Sequence, residues 1–171
     1  MLEFGGRNRG KPTAEIEINS YLSDIKGFES LGLPKAKVMA YQQDFLLWEK
    51  ITVLHQLSAQ TKEPNPDRLA RHWYDVDCLI NTSFADPFTT SEAMLAVIEM
   101  KRSRWSEKGV DYDLVANGGL RIIPKIDRLA RITQDHKKAI EGGMFFSTPD
   151  SFDDIISRLK ELQDNINQAF R

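Results

Sequence analysis

The sequence predicts an α+β fold, a short N-terminal sheet of mixed or antiparallel strands followed by a helical bundle. Three observations predict it. Alternation of apolar and polar residues is confined to about the first forty positions, most later apolar residues recur at three- and four-residue steps, and the last such stripe is the longest. This division assigns residues 1–42 to a sheet segment and residues 43–171 to a helical domain.

Each element has its own signal. Met1 to Phe4 is a short apolar run ended by Gly5-Gly6, and a basic turn follows at Arg7-Asn8-Arg9-Gly10-Lys11. Ala14, Ile16 and Ile18 alternate with Glu15, Glu17 and Asn19, the period of a half-buried strand. Pro34 marks a turn before a further strand from Ala36 to Tyr41. A first helix is expected over about 45–59, a second over about 67–81, and a third from Thr89, which has capping-box spacing to Glu92, to about Trp105. Asp111 to Ile123 is irregular and ends in a strand-like Leu120 to Ile123. Pro124 opens a fourth helix that Gly142-Gly143 ends. The last helix carries Phe152, Ile155, Ile156, Leu159, Leu162, Ile166 and Phe170 on one stripe, with Thr148 and Pro149 at its start. A chain that opens inside an apolar strand ended by glycines is expected to lack something before it.

Composition excludes several functions. The 171 residues are 41% apolar and 28% charged, suited to a globular protein with a sizeable core. A net charge of −2 gives no global field for nucleic acid or an anionic membrane. The lone cysteine, Cys78, rules out an intramolecular disulfide, makes the cytoplasm the expected compartment, and reads as packing beside Trp73, Tyr74 and Val76. No run approaches the roughly 18 apolar residues of a membrane helix, and the N-terminus has no signal core. His55, His72 and His136 have no zinc-ligand spacing with Cys78. The glycines at 5, 6 and 10 form neither a P-loop nor a dinucleotide fingerprint, and no G-x-S-x-G is present. Lys101, Arg102 and Arg104 make a basic helix end of the kind that carbonyl dipoles favour.

Two charged residues stand out. On the wheel of the first helix, Leu46, Leu54 and Leu57 bracket Lys50, while Glu49, Thr52 and Gln56 share the opposite arc. Lys50 therefore either snorkels from the edge of the core or waits at a rim for an anion. On the second helix, Leu69, Trp73, Val76 and Ile80 define the apolar face, and Asp75 lies at its margin between Arg71 and Leu79. Asp75 either pairs with Arg71 one turn away, beside a core His72 with a satisfied hydrogen bond, or faces a cleft and meets Lys50.

These residues, with the segments around them, resemble the abortive-infection nucleotidyltransferase toxins of the AbiEii/AbiGii type. LEFGGRNRG at 2–10 is similar to the family's strand and basic turn, and FLLWEKITVLH at 45–55 to its F-W-E-K helix. RLARHWYDVDCL at 68–79 is similar to its R-x-S-R-H-Y-Y-D-L helix. DHKKAIEGGMFF at 135–146 and PDSFDDIISRLKELQDNIN at 149–167 are similar to its C-terminal helices. These segments occur in family order and span nearly the whole chain.

The resemblance implies a nucleotidyltransferase core of the polymerase-beta type, of which the N-terminal sheet is a remnant. In a complete member a strand D-x-D or D-x-E pair holds Mg²⁺ against a nucleoside triphosphate, and RNA such as tRNA is the acceptor. No such pair stands on a strand here. Asp75 and Asp77 spell D-x-D but lie about 200° apart on a helix wheel, and Asp111 and Asp113 fall in a late loop. By resemblance, Lys50 and Arg71 bind nucleotide phosphate, Asp75 is an orienting or general-base group, and Glu3 stands where the third carboxylate of the core lies. Where the family has E-R-T-F, this chain has Asp44-Phe45-Leu46-Leu47. The expected function is thus a truncated nucleotidyltransferase-like toxin, inactive alone and without a metal site of its own. The alternative is a binding module that pairs with an antitoxin or a separately encoded front half. A third class, a different enzyme using Lys50 with Asp75, is tested by a nucleotide-binding screen.

Overall fold

The computed structural model describes residues 13–65, 67–82, 85–88, 91–145 and 147–171. The expected strand at Met1 to Phe4, the basic turn at 5–11, Glu3 and the Thr89 cap lie outside the described residues. Among the described residues the architecture is α+β: a two-stranded antiparallel sheet, then six α-helices.

Strands β1 (Thr13–Asn19) and β2 (Lys35–Tyr41) pair with Ile16 opposite Val38 and Ile18 opposite Ala36. One face carries the ion pairs Lys35–Glu17 (2.9 Å) and Lys37–Glu15 (3.0 Å). The other is apolar yet open, with Ile16 46% and Ile18 48% exposed.

Helix α1 (Gln43–Ala59) begins directly after β2, where Tyr41 stacks on Phe45. Phe45, Leu47, Trp48, Ile51, Thr52, Leu54, His55 and Ser58 are all buried, so neighbours cover this helix on most sides. The wheel expectation fails at two positions for that reason: Thr52, assigned to the polar arc, is fully buried, while Leu46 faces out. Helix α2 is Arg71–Asn81 and helix α3 is Ser91–Arg104. The α2 boundary expected near Asp67 moves because Arg68 has a φ of 60°, which no right-handed helix accommodates.

A single-turn helix α4 (Asp113–Ala116) precedes the segment expected to be a strand at 120–123. That segment is not a strand, because side chains take its hydrogen bonds. Leu120 N–H donates to Asn167 Oδ1, Arg121 N–H to His55 Nδ1 and Ile122 N–H to Gln163 Oε1. Arg128 of helix α5 (Ile126–Glu141) and its N-cap residue Lys125 donate from their side chains to the Leu57 and Gln60 carbonyls and so satisfy the C-terminal end of α1. Helix α6 (Phe152–Ala169) buries Phe152, Ile155, Leu159, Leu162 and Ile166 as the stripe predicted. Its N-cap is Ser151, not Thr148, since the Ser151 hydroxyl accepts from Asp154 N–H. α6 packs on α2, with the Trp73 and Phe152 rings edge to face, and its end reaches α1 where Phe170 meets Trp48. No helix among the described residues is long and apolar enough to cross a membrane.

Candidate functional site

The W-E-K segment of α1 sends each side chain to a different task. Trp48 is fully buried in the core. Glu49 pairs with Lys101 of α3 at 3.3 Å, and Lys101 is itself buried beneath the Trp105 ring. Lys101, read as part of a basic helix end, therefore ties α3 to α1. Lys50 points the other way and meets Asp75 of α2, Nζ to Oδ2, at 2.9 Å. Both side chains are 36% exposed, because the pair opens onto a cavity of about 460 Å³. Its walls also include Arg68, Arg71, His72 and Tyr74, with Met144 and Phe145 after α5.

The two residues singled out on different helices are thus brought together, and the local alternatives are not adopted. Asp75 pairs with Lys50 instead of Arg71, whose side chain has no hydrogen bond or ion pair among the described residues. His72 is half-buried, and its Nδ1 is buried without a hydrogen-bond partner among the described residues, contrary to the expectation of a satisfied core histidine. Burial first, then the charges of Arg71 and Lys50, hold the His72 pKa below its ordinary value, so the ring is neutral at neutral pH. The Tyr74 ring meets Phe145 at a tilt of 49°, and a hydrogen bond to Cys78 leads the causes that raise the Tyr74 pKa, so its hydroxyl keeps its proton.

The walls carry three basic side chains, Lys50, Arg68 and Arg71, against one carboxylate, Asp75. Such a recess has the charge to suit a polyanion. Arg68, His72 and Tyr74 were missed from the sequence. His72 had a usable signal, since three residues before Asp75 places it on the same side of α2; Arg68 stands as the first arginine of the R-x-S-R-H-Y-Y-D-L match, but its place on the wall comes from a backbone conformation that no sequence pattern gives.

Asp77 departs from Asp75 as their wheel separation implied. It is buried on the α6 side, where Arg158 Nε and Nη2 donate to its two oxygens at 2.7 and 2.8 Å. Asp113 pairs with Arg102 of α3, and Asp111 caps the turn by accepting from Asp113 N–H. Glu15 and Glu17 share one face of β1, but each meets a lysine of β2. The described residues contain no group of three or more His, Cys, Asp or Glu placed to hold a metal ion.

Residues 1–158 match the family model described as Nucleotidyl transferase AbiEii toxin, Type IV TA system. Comparison with curated proteins and with solved structures gives no match.

Proposed function

The chain belongs to the AbiEii nucleotidyl transferase toxin family, and on that premise we propose that the Lys50–Asp75 cavity is the nucleotide-binding side of a transfer site. The observation that carries this reading is the 2.9 Å pair between two helices at the mouth of a cation-rich recess. Lys50 and Arg71 draw in the polyphosphate of a nucleoside triphosphate. Asp75 orients the acceptor hydroxyl, on an RNA such as tRNA, and takes its proton as the oxygen attacks the α-phosphorus. The bond to the β-phosphate then breaks and pyrophosphate leaves. In this reading residues 1–42 belong to the nucleotidyltransferase core, Glu3 within it, and residues 43–171 form its helical domain.

These 171 residues transfer no nucleotide alone, because the strand carboxylate pair of the family is missing and the candidates that remain are already engaged. Incubation with Mg²⁺, each nucleoside triphosphate and tRNA should give no product above background. Product that disappears in Lys50→Ala and Asp75→Asn overturns the inactivity and upholds the site; Glu15 and Glu17 would then be the first metal candidates to replace. Addition of a front-half polypeptide carrying G-S and D-x-D should create activity that both substitutions abolish. Restored activity indifferent to both overturns the site.

A second reading rests on the open apolar face of the β1–β2 ribbon, which borders a recess of about 580 Å³ whose walls are Ala14, Ile16, Ala40, Tyr41 and Leu46 with Gln42, Gln43 and Asp44 at the start of α1. A two-stranded sheet is marginal by itself, so this face suits a protein partner, either the antitoxin or a front half. Ile16→Glu should abolish co-purification with that partner and leave α-helical content intact.

A further inference from the structure

Arg68 has a φ of 60° although it is not glycine. The left-handed region brings Cβ against the following carbonyl, so an L-residue stays there only when its surroundings hold it. Asp135 of α5 does the holding: Oδ1 accepts from Arg68 N–H at 3.0 Å and Oδ2 from Ala70 N–H at 2.8 Å. One carboxylate thereby fixes the turn that enters α2 and satisfies two donors ahead of its first residue, Arg71. The Arg68 side chain lines the Lys50–Asp75 cavity and has no hydrogen bond or ion pair among the described residues. A glycine at 68 would give the same turn without strain, so what the arginine adds is its guanidinium on the cavity wall.

We propose that Arg68 is a further anion-binding side chain of this cavity, taking the distal phosphates of a nucleoside triphosphate, and that Asp135 is the positioning residue that aims it. The proposal rests on the reading of the cavity as a nucleotide site. Asp135 acts from beneath the turn, through backbone N–H groups, and leaves the guanidinium free to fork onto phosphate oxygens.

The test is calorimetric titration of inorganic tripolyphosphate into the full chain, with thermal unfolding measured in parallel. Arg68→Gly removes the guanidinium and relieves the strain, so affinity should fall about tenfold while the melting temperature holds or rises. Arg104→Ala removes the same charge from α3, outside the cavity lining, and should leave affinity unchanged. Asp135→Ala should lower affinity to a similar extent with no ligand contact of its own, and Arg68→Gly added to it should cost little more. An Asp135→Ala protein that melts earlier yet binds tripolyphosphate normally overturns the positioning role. Unchanged affinity in Arg68→Gly overturns the proposal, whether or not Asp135→Ala folds, and so does absence of binding by the unaltered chain. Lys50→Ala separates the two readings: loss there without loss in Arg68→Gly refutes only the inference about Arg68. Loss in Arg68→Gly without loss in Lys50→Ala refutes only the role of Lys50.

Discussion

Replacing Arg158 with Met should destabilise this protein far more than replacing Lys50 with Met, although each change removes the cation that faces an aspartate of α2. Asp77 is 8% exposed and receives both of its short bonds from the Arg158 guanidinium. Without that fork a buried carboxylate has no partner. Breaking a buried pair costs about 3–5 kcal/mol, and Arg158 is 33% exposed, so some water follows and the lower end applies, about 3 kcal/mol. Lys50 and Asp75 are each 36% exposed, and water rehydrates whichever remains, so the loss there stays below about 1 kcal/mol. Methionine retains most of the aliphatic stem in both cases, which isolates the charge. At about 2–4 °C per kcal/mol for a chain of this size, Arg158→Met lowers the melting temperature by about 6–12 °C and Lys50→Met by less than about 4 °C. Urea unfolding followed by circular dichroism, with equal slopes for all variants, gives the same comparison as midpoints. Equal losses, or a larger loss in Lys50→Met, would refute the division of α2 into a scaffold carboxylate and a site carboxylate.

Acidification below neutrality should weaken the fold before the carboxylates titrate. Burial lowers the His55 pKa from 6.5, so below that value the unfolded chain takes up a proton that folded His55 refuses; stability is complete above it and declines as pH falls toward the folded pKa. His72 acts in the same direction, and the urea midpoint should drop between pH 7.5 and 5.5 with a shallower dependence in His55→Asn. Asn167→Ala removes the acceptor for Leu120 N–H (2.7 Å) and the donor to Leu120 O (3.0 Å), and should cost about 1–3 kcal/mol with lost hydrogen-exchange protection at Leu120. Gly118→Ala should be at least as harmful, because φ is 68° and a Cβ there would stand 2.9 Å from the Asn167 carbonyl; a melting temperature within 1 °C (about 0.3–0.5 kcal/mol) of the parent would contradict this.

The elements most legible in the sequence are those whose pattern and burial have the same cause. The α6 stripe is one, since Ile155, Leu159, Leu162 and Ile166 repeat at helical steps and one face alone is covered. The β1 alternation was legible as a strand without that agreement, since the face it defines is open where a half-buried strand was expected. Pattern fails where burial comes from all sides, as in α1, where Thr52 is as buried as Ile51 and no wheel separates them. It also fails where the backbone finds unlike partners. Leu120 to Ile123 has the residues of a strand, but its donors are met by Asn167, His55 and Gln163, none of which is adjacent in sequence. Lys50 and Asp75 were legible because each is a charge on the wrong side of its helix. Their meeting stood in the sequence only as one of two alternatives, and a tertiary crossing decides it.

That crossing has an identifiable origin in the 120–122 segment. Arg121 N–H reaches His55 on α1, the Ile122 carbonyl accepts from Trp73 Nε1 on α2 at 2.7 Å, and α6 holds the segment from behind through Asn167 and Gln163. Arg121 and Ile122 therefore couple the two site helices, one contact five positions after Lys50 and the other two positions before Asp75. The contact to α1 depends on protonation. His55 Nδ1 accepts from Arg121, so the ring proton sits on Nε2, where it is donated to the Asp111 carbonyl at 3.1 Å. A second ring proton would occupy the acceptor position and take from the Arg121 N–H its partner on α1. The cation at Lys50 and the carboxylate at Asp75 thus keep their 2.9 Å separation through a neutral imidazole that touches neither, and loosening of that register should accompany the acid-induced loss of stability rather than precede it.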